Sequence, residues 1–150
     1  EGMITDSAVS AIVGKITDSK NARLVRDTEA ALMAGIMAAH GGCHVGDIGN
    51  AVEKSLSKKY GIVRDLVGHG VGHELHEDPN IPNQGRAGTG PVLQSGMTIA
   101  IEPMITLGTY EVFTDMDGWT VKTQDGSRSA HFEHTILITD IGAEILTELS

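Results

Sequence analysis

Residues 68–77 read GHGVGHELHE. Three histidines and two glutamates stand there among three glycines, Gly68, Gly70 and Gly72, on alternate positions. Alternating glycines remove the side chains that would keep another backbone or a bound species at a distance. Imidazoles and carboxylates gather at this density where metals bind or protons move. The stretch also divides the chain. Helical periodicity ends before it, and strand-like alternation dominates after it.

Upstream, Ile4 to Val13 (ITDSAVSAIV) is rich enough in β-branched residues to predict a strand closing at Gly14. The run TDSKNARLVRDTEAALMAGIMAAHGG then predicts a helix, capped by Asp18 or Ser19 and ended by Gly41-Gly42. Its stripe is Leu24, Thr28, Ala31, Leu32 and Ile36, with Gly35 as a weak point. A second helix is expected from about Asp47 to Tyr60. Ile48, Val52 and Leu56 recur there every four residues, Lys58-Lys59 would face its negative end, and Gly61 stops it.

Ile62 to Val67 predicts a short strand feeding the histidine segment, and residues 78–95 predict a loop. Further strands are expected at Met97–Ile105, Glu111–Thr114, Trp119–Thr123, His131–Ile138 and Ala143–Thr147. Asp117-Gly118 and the TDIG at 139–142 read as hairpin turns. Two helices followed by strands imply an α+β domain with the helices on one sheet face.

Bulk properties narrow the functional classes. A chain of 150 residues fits one domain, 40% hydrophobic and 21% charged, with aromatics at 3%. Its net charge of -9 argues against general nucleic-acid binding. Cys43 is the single cysteine, which excludes an intrachain disulfide and suits a reducing compartment. No run approaches the ~18 consecutive apolar residues of a membrane span. The cytoplasm is therefore the expected location, with no membrane partner. The opening Glu1-Gly2-Met3-Ile4 reads like a chain entered midway.

In MTIAIEPMI, Glu102 shares a strand face with Thr98 and Ala100, while Ile99 and Ile101 point the other way. A carboxylate in so apolar a strand is costly to bury without a cation. Glu133 in HFEHTILIT stands in a similar setting. Each alone could be an edge-strand charge. Two such glutamates with His69 would instead form a hard, partly nitrogenous ligand set suited to Mn, Fe, Co or Zn. Asp6 fits either a capping or turn role or a ligand role. His73 and His76 could each be surface residues, and His76, leading into the loop, is also placed for a substrate contact. His131 and His134 could support Glu133 or merely share its strand, and His40 and Cys43 look structural.

The segments GHGVGHELHEDPNIPN, SGMTIAIEPMI and DGWTVKTQDGSRSAHFEHTILIT closely resemble type I methionine aminopeptidases, over essentially the whole chain. The resemblance implies the pita-bread fold of the creatinase and aminopeptidase families, and residues 1–150 as a single catalytic domain, its C-terminal portion. It implies a dinuclear centre of two aspartates, one histidine and two glutamates, holding two divalent ions (Co, Mn, Fe or Zn). Matched by motif, Asp6, His69, Glu102 and Glu133 are metal ligands, Glu102 also moves the proton, and His76 contacts the substrate. Trp119 and Leu75 would line the methionine pocket. The other aspartate and about half of the pseudo-symmetric fold are expected upstream of Glu1.

The implied activity is removal of N-terminal methionine by a metal-activated water. Its substrates would be peptides and nascent chains, with the ribosome as an expected partner. Rival readings are a proline-specific peptidase of the same fold, a metal-free peptide-binding module, and an unrelated cupin-like metal protein. The short interval from His76 to Glu102 leaves no room for the extra domain of type II enzymes.

Overall fold

Asp18 is extended (φ -128°, ψ 115°) and its carboxylate accepts the backbone N–H of Lys20, so helix α1 begins at Ser19 and runs to Ala38. In the computed structural model, residues 2–15 and 17–148 are described, so Glu1 of the opening tetrapeptide lies outside them. Helix α1 buries Leu24, Thr28, Ala31, Leu32 and Ile36, the expected stripe, together with Gly35. Gly35 has a packing reason. A Cβ there would lie 2.9 Å from Val52 Cγ2 on the second helix, so the missing side chain lets the two helices close on each other.

That second helix, α2, spans Val45–Ser55 rather than 47–60. Asp47 is not its first residue. Its carboxylate reaches back to the His44 N–H and across to the Gly88 N–H, both at 2.8 Å, which sets the start two residues earlier, at Val45. Those bonds hold the Asp47 carboxyl below its usual range. At the far end Leu56 is already extended (ψ 150°), so Lys58 and Lys59 fall outside the helix.

The strands are β1 (Ser7–Ala8), β2 (Gly61–Ile62), β3 (Gly68–Gly70), β4 (Glu77–Ile81), β5 (Thr98–Ile101), β6 (Met104–Thr106), β7 (Val112–Thr114), β8 (Val121–Thr123), β9 (Ser129–His131), β10 (Glu133–Thr139) and β11 (Gly142–Ile145). One sheet has the order β1-β10-β5-β3-β4, with β11 beside β1 on the same edge of β10. A second sheet has the order β2-β6-β9, and β7 pairs with β8 as a hairpin. Both expected hairpin turns form, since Thr139 pairs with Gly142 and the β7–β8 pair encloses Asp117-Gly118.

Five strand and loop expectations are corrected. The strand over Ile62–Val67 is only β2, Gly61–Ile62. The strand over Ile4–Val13 shrinks to Ser7–Ala8, because β11 occupies that edge of β10 on one side and β10 itself begins at Glu133 on the other. The loop at 78–95 starts inside a strand, β4, which pairs with β3. The strand at Met97–Ile105 is two strands, β5 and β6, in different sheets, parted at Glu102-Pro103. The strand expected from His131 likewise divides at Phe132 into β9 and β10. Both sheets therefore change over along one seam, and Glu102, His131 and Glu133 flank it.

Helices α1 and α2 cover one face of the larger sheet. Leu32, Ile36, Val45 and Ile48 pack there with Ile81, Ile99, Ile101, Ile136 and Ile138. A smaller cluster of Leu24, Ile105 and Ala130 extends that packing to the second sheet. The glycines of β3 meet backbone on both sides. A Cβ at Gly68 would lie 2.3 Å from the Ala100 carbonyl oxygen, and one at Gly70 would lie 2.3 Å from that of Asp78.

Gly68→Ala should therefore lower unfolding stability by about 1–3 kcal/mol or more, through strand displacement. Gly142→Ala, where a Cβ meets nothing within 4 Å, should stay within roughly 0.5 kcal/mol of the parent. Denaturant titration of the two variants checks this, and equal effects would contradict the close-approach account.

Candidate metal centre

Register delivers the site residues to one face. His69 and Thr135 both pair with Ala100, one on each side of β5, so the three share a row. The opposite face carries Ile99, Ile101 and Ile136 into the helix-covered core. Asp6 joins from a distant part of the chain. Its N–H donates to Thr135 Oγ1 at 2.8 Å, and the Thr135 hydroxyl donates back to the Asp6 carbonyl at 2.9 Å. Thr135 is fully buried, so this reciprocal clasp fixes where the N-terminal segment lies. Asn83, also buried, donates its Nδ2 hydrogen to the Glu102 carbonyl at 3.1 Å, holding the backbone at the seam.

Two groups of side chains converge. Asp6, His69 and Glu133 each bring one ligating atom within 4.8 Å of the others, and so do Glu102, His131 and Glu133. Glu133 belongs to both. The His69 Nδ1 lies 2.9 Å from the Gly70 carbonyl, which can only accept, so Nδ1 carries the hydrogen. Nε2, the lone-pair nitrogen of the neutral ring, faces Glu102 Oε1 at 3.5 Å. His131 Nε2 lies 3.3 Å from Glu102 Oε2. His69 Nε2, His131 Nε2 and Glu133 Oε1 are buried without a hydrogen-bond partner among the described residues.

Among the described residues no lysine or arginine forms an ion pair with them. The ion pairs those residues make among the described residues, Arg26–Asp27 and Lys122–Asp115, lie outside the cluster. Burial pushes the Glu133 carboxyl up to about 7, with the negative charges of Glu102 and Asp6 adding to the effect and His131 opposing it. Imidazole lone pairs and carboxylates gathered in these two groups suit divalent transition-metal ions, which would satisfy the orphaned ligating atoms of each group. The donor set fits.

The remaining expected residues are spread out. The His76 ring stands edge-on to His69, centroids 4.3 Å apart, and shares a cavity of about 400 Å³ with Glu102 and His131. The cavity wall is mostly apolar, with Val63, Met104, Val112, Val121 and Ala130 among its residues. Trp119 and Leu75 are not among them. Trp119 is 88% exposed on the turn of the β7–β8 hairpin, its N–H bonded to Asp117, and Leu75 is 41% exposed. Solvent exposure, not cavity lining, is where this structure places both. His134 bonds Thr147 through Nδ1 and takes no part in either group. His131 is the residue that sequence reasoning undervalued. The available signal was alternation, since His131 and Glu133 are two apart.

Residues 1–140 match metallopeptidase family M24. The chain belongs to this family. It is 47% identical over 143 residues to a methionine aminopeptidase of Clostridium acetobutylicum, covering 95% of this chain and 57% of that relative. The crystal structure of the Thermotoga maritima methionine aminopeptidase superposes with a TM-score of 0.95 at 51% identity, covering 99% of this chain and 60% of that one. A prolidase from Pyrococcus furiosus has a TM-score of 0.73 at 25% identity, over 97% of this chain and 37% of its own. The fold is thus the α+β pita-bread fold of these peptidases, and the chain spans less than two thirds of their length.

The raised Glu133 carboxyl has a consequence for the metal-free protein. The folded state holds a proton that the unfolded state has released, so stability should fall as pH rises from about 4.5 through about 7. Thermal unfolding with chelator present should show this decline in the parent protein and a flatter profile in Glu133→Gln. Identical profiles would contradict the assignment.

Proposed function

We propose that the protein is a metal-dependent aminopeptidase that removes N-terminal methionine from peptides and nascent chains. The observation that carries this reading is the convergence of Asp6, His69, Glu102 and Glu133 beside a cavity with apolar walls. Asp6, His69, Glu102 and Glu133 would hold two divalent ions, drawn from Co, Mn, Fe or Zn, which supply Lewis acidity and bring the attacking water's pKa near neutrality. Glu102, with its carboxylate at the cavity edge, takes the proton from that water and passes it to the leaving amine. His76 donates a hydrogen bond to the scissile amide as charge develops on it.

The methionine side chain would enter the cavity between Val63, Met104, Val112 and Ala130, the aliphatic and thioether part of a wall that also carries Lys122. We assign these residues the lining role, in place of Trp119 and Leu75. No helix among the described residues is long and apolar enough to cross a membrane. We place its action, separately from that, on chains leaving the ribosome in the cytoplasm. Residues 1–150 are read as one catalytic domain's C-terminal portion.

Proline-specific hydrolysis is the second reading, favoured by the likeness to the Pyrococcus furiosus prolidase. Assay of the protein on Met-Gly peptides and X-Pro dipeptides separates the two, with cleavage expected on the former alone. Glu102→Gln should lower kcat by roughly 10²-fold or more, the scale of general acid–base catalysis. Turnover retained in that variant would overturn the proton-transfer role.

A further inference from the structure

We propose that His131 is a metal ligand, giving the centre a second imidazole and a cation position of its own between Glu102, His131 and Glu133. The inference rests on the metal-dependent reading above and assigns a residue that the family resemblance leaves outside the ligand set.

The orientation of the ring carries the argument. The His131 side chain is 37% exposed, yet its Nε2 is buried and lacks a hydrogen-bond partner. The ring thus shows one edge to the cavity and turns a nitrogen inward. That nitrogen lies 3.3 Å from Glu102 Oε2 without hydrogen-bond geometry. Glu133, 4% exposed, presents an unpartnered Oε1 to the same place. Two carboxylates and an imidazole with ligating atoms within 4.8 Å of one another are a donor set that would suit a transition-metal ion.

The backbone is built to hold that ring. Ser10 brackets His131, its hydroxyl accepting the His131 N–H and donating to the His131 carbonyl, both at 2.9 Å. Pairing of His131 with Met104 sets it across the seam from Glu102. Phe132, 7% exposed, packs into the helix-covered core between His131 and Glu133, so those two residues turn to the other side. The resulting positions differ. One is framed by Asp6, His69 and Glu133, the other by Glu102, His131 and Glu133, with Glu133 common to both. A nitrogen donor at the second should favour Co, Fe or Zn there over magnesium or calcium.

Calorimetric and visible-absorption titration of the metal-free protein with Co(II), at about pH 8 where imidazoles are neutral, tests the proposal. The parent should take up two equivalents. His131→Ala should lose the second or bind it roughly tenfold or more weakly, with the first unchanged, while His69→Ala should weaken the first. Long-range proton–nitrogen NMR of the zinc-loaded parent needs no variant to fold, and should show the His131 Nε2 resonance displaced to the metal-bound range. Two unchanged equivalents in His131→Ala, or an undisplaced His131 nitrogen, would overturn this ligand while leaving the metal centre standing. The latter result would mark His131 as an ion-pair partner of Glu102. Absence of Co(II) uptake by the parent would overturn both the ligand and the metal-dependent reading.

Discussion

Everything in this fold is arranged around a repulsion. The carboxylates of Asp6, Glu102 and Glu133 are brought together with the bare nitrogen of His69 in a partly dry site, with no lysine or arginine pairing with them among the described residues. Desolvating one carboxylate without a partner is already expensive, and placing a second beside it raises the cost. Such a cluster persists in a folded chain where the surrounding packing over-determines it and a cation relieves it.

The over-determination is visible in how few degrees of freedom the ligating residues retain. The long strands around the site change sheets at Glu102-Pro103 and at Phe132, so their carboxylates emerge at one seam rather than on opposite faces. The glycines of β3 let its backbone lie against those of β4 and β5, which carries His69 to the same line. Thr135 clasps Asp6 and Ser10 clasps His131, tying the N-terminal segment to residues far along the chain. Helices α1 and α2 load the opposite face with buried aliphatic side chains.

Much of this was legible in the sequence because it is periodic. The α1 stripe and the opposed faces of Ile99 and Ala100 follow from spacings of 3.6 and 2. The breaks in the strands were not legible in the same way. Pro103 announces a disturbed ladder, but whether the next residues stay in the sheet or join another depends on partners such as β2 and β9, set by tertiary packing. The α2 boundaries were misplaced because Asp47 was read as a helix start, when its carboxylate bonds back to His44 and across to Gly88.

The site was legible to a similar depth. His69 between glycines and the two glutamates in apolar strands contradict their surroundings, and that contradiction is itself the signal. Asp6 carries no such mark, since TDS suits a turn equally well and its place is decided by Thr135. His131 was read only as support for Glu133 or as a strand-face residue, because one histidine beside a more conspicuous glutamate carries no further mark. Trp119 and Leu75 were assigned by motif alone, and motif does not report that both side chains face solvent.

Anomalous scattering from crystals grown with Mn(II) or Co(II) tests the central claim most directly. The account predicts a peak at about 2.0–2.3 Å from His69 Nε2 and from a Glu133 carboxylate oxygen, the range of metal bonds to nitrogen and oxygen. An empty difference map, with those atoms satisfied by ordered water alone, would contradict it.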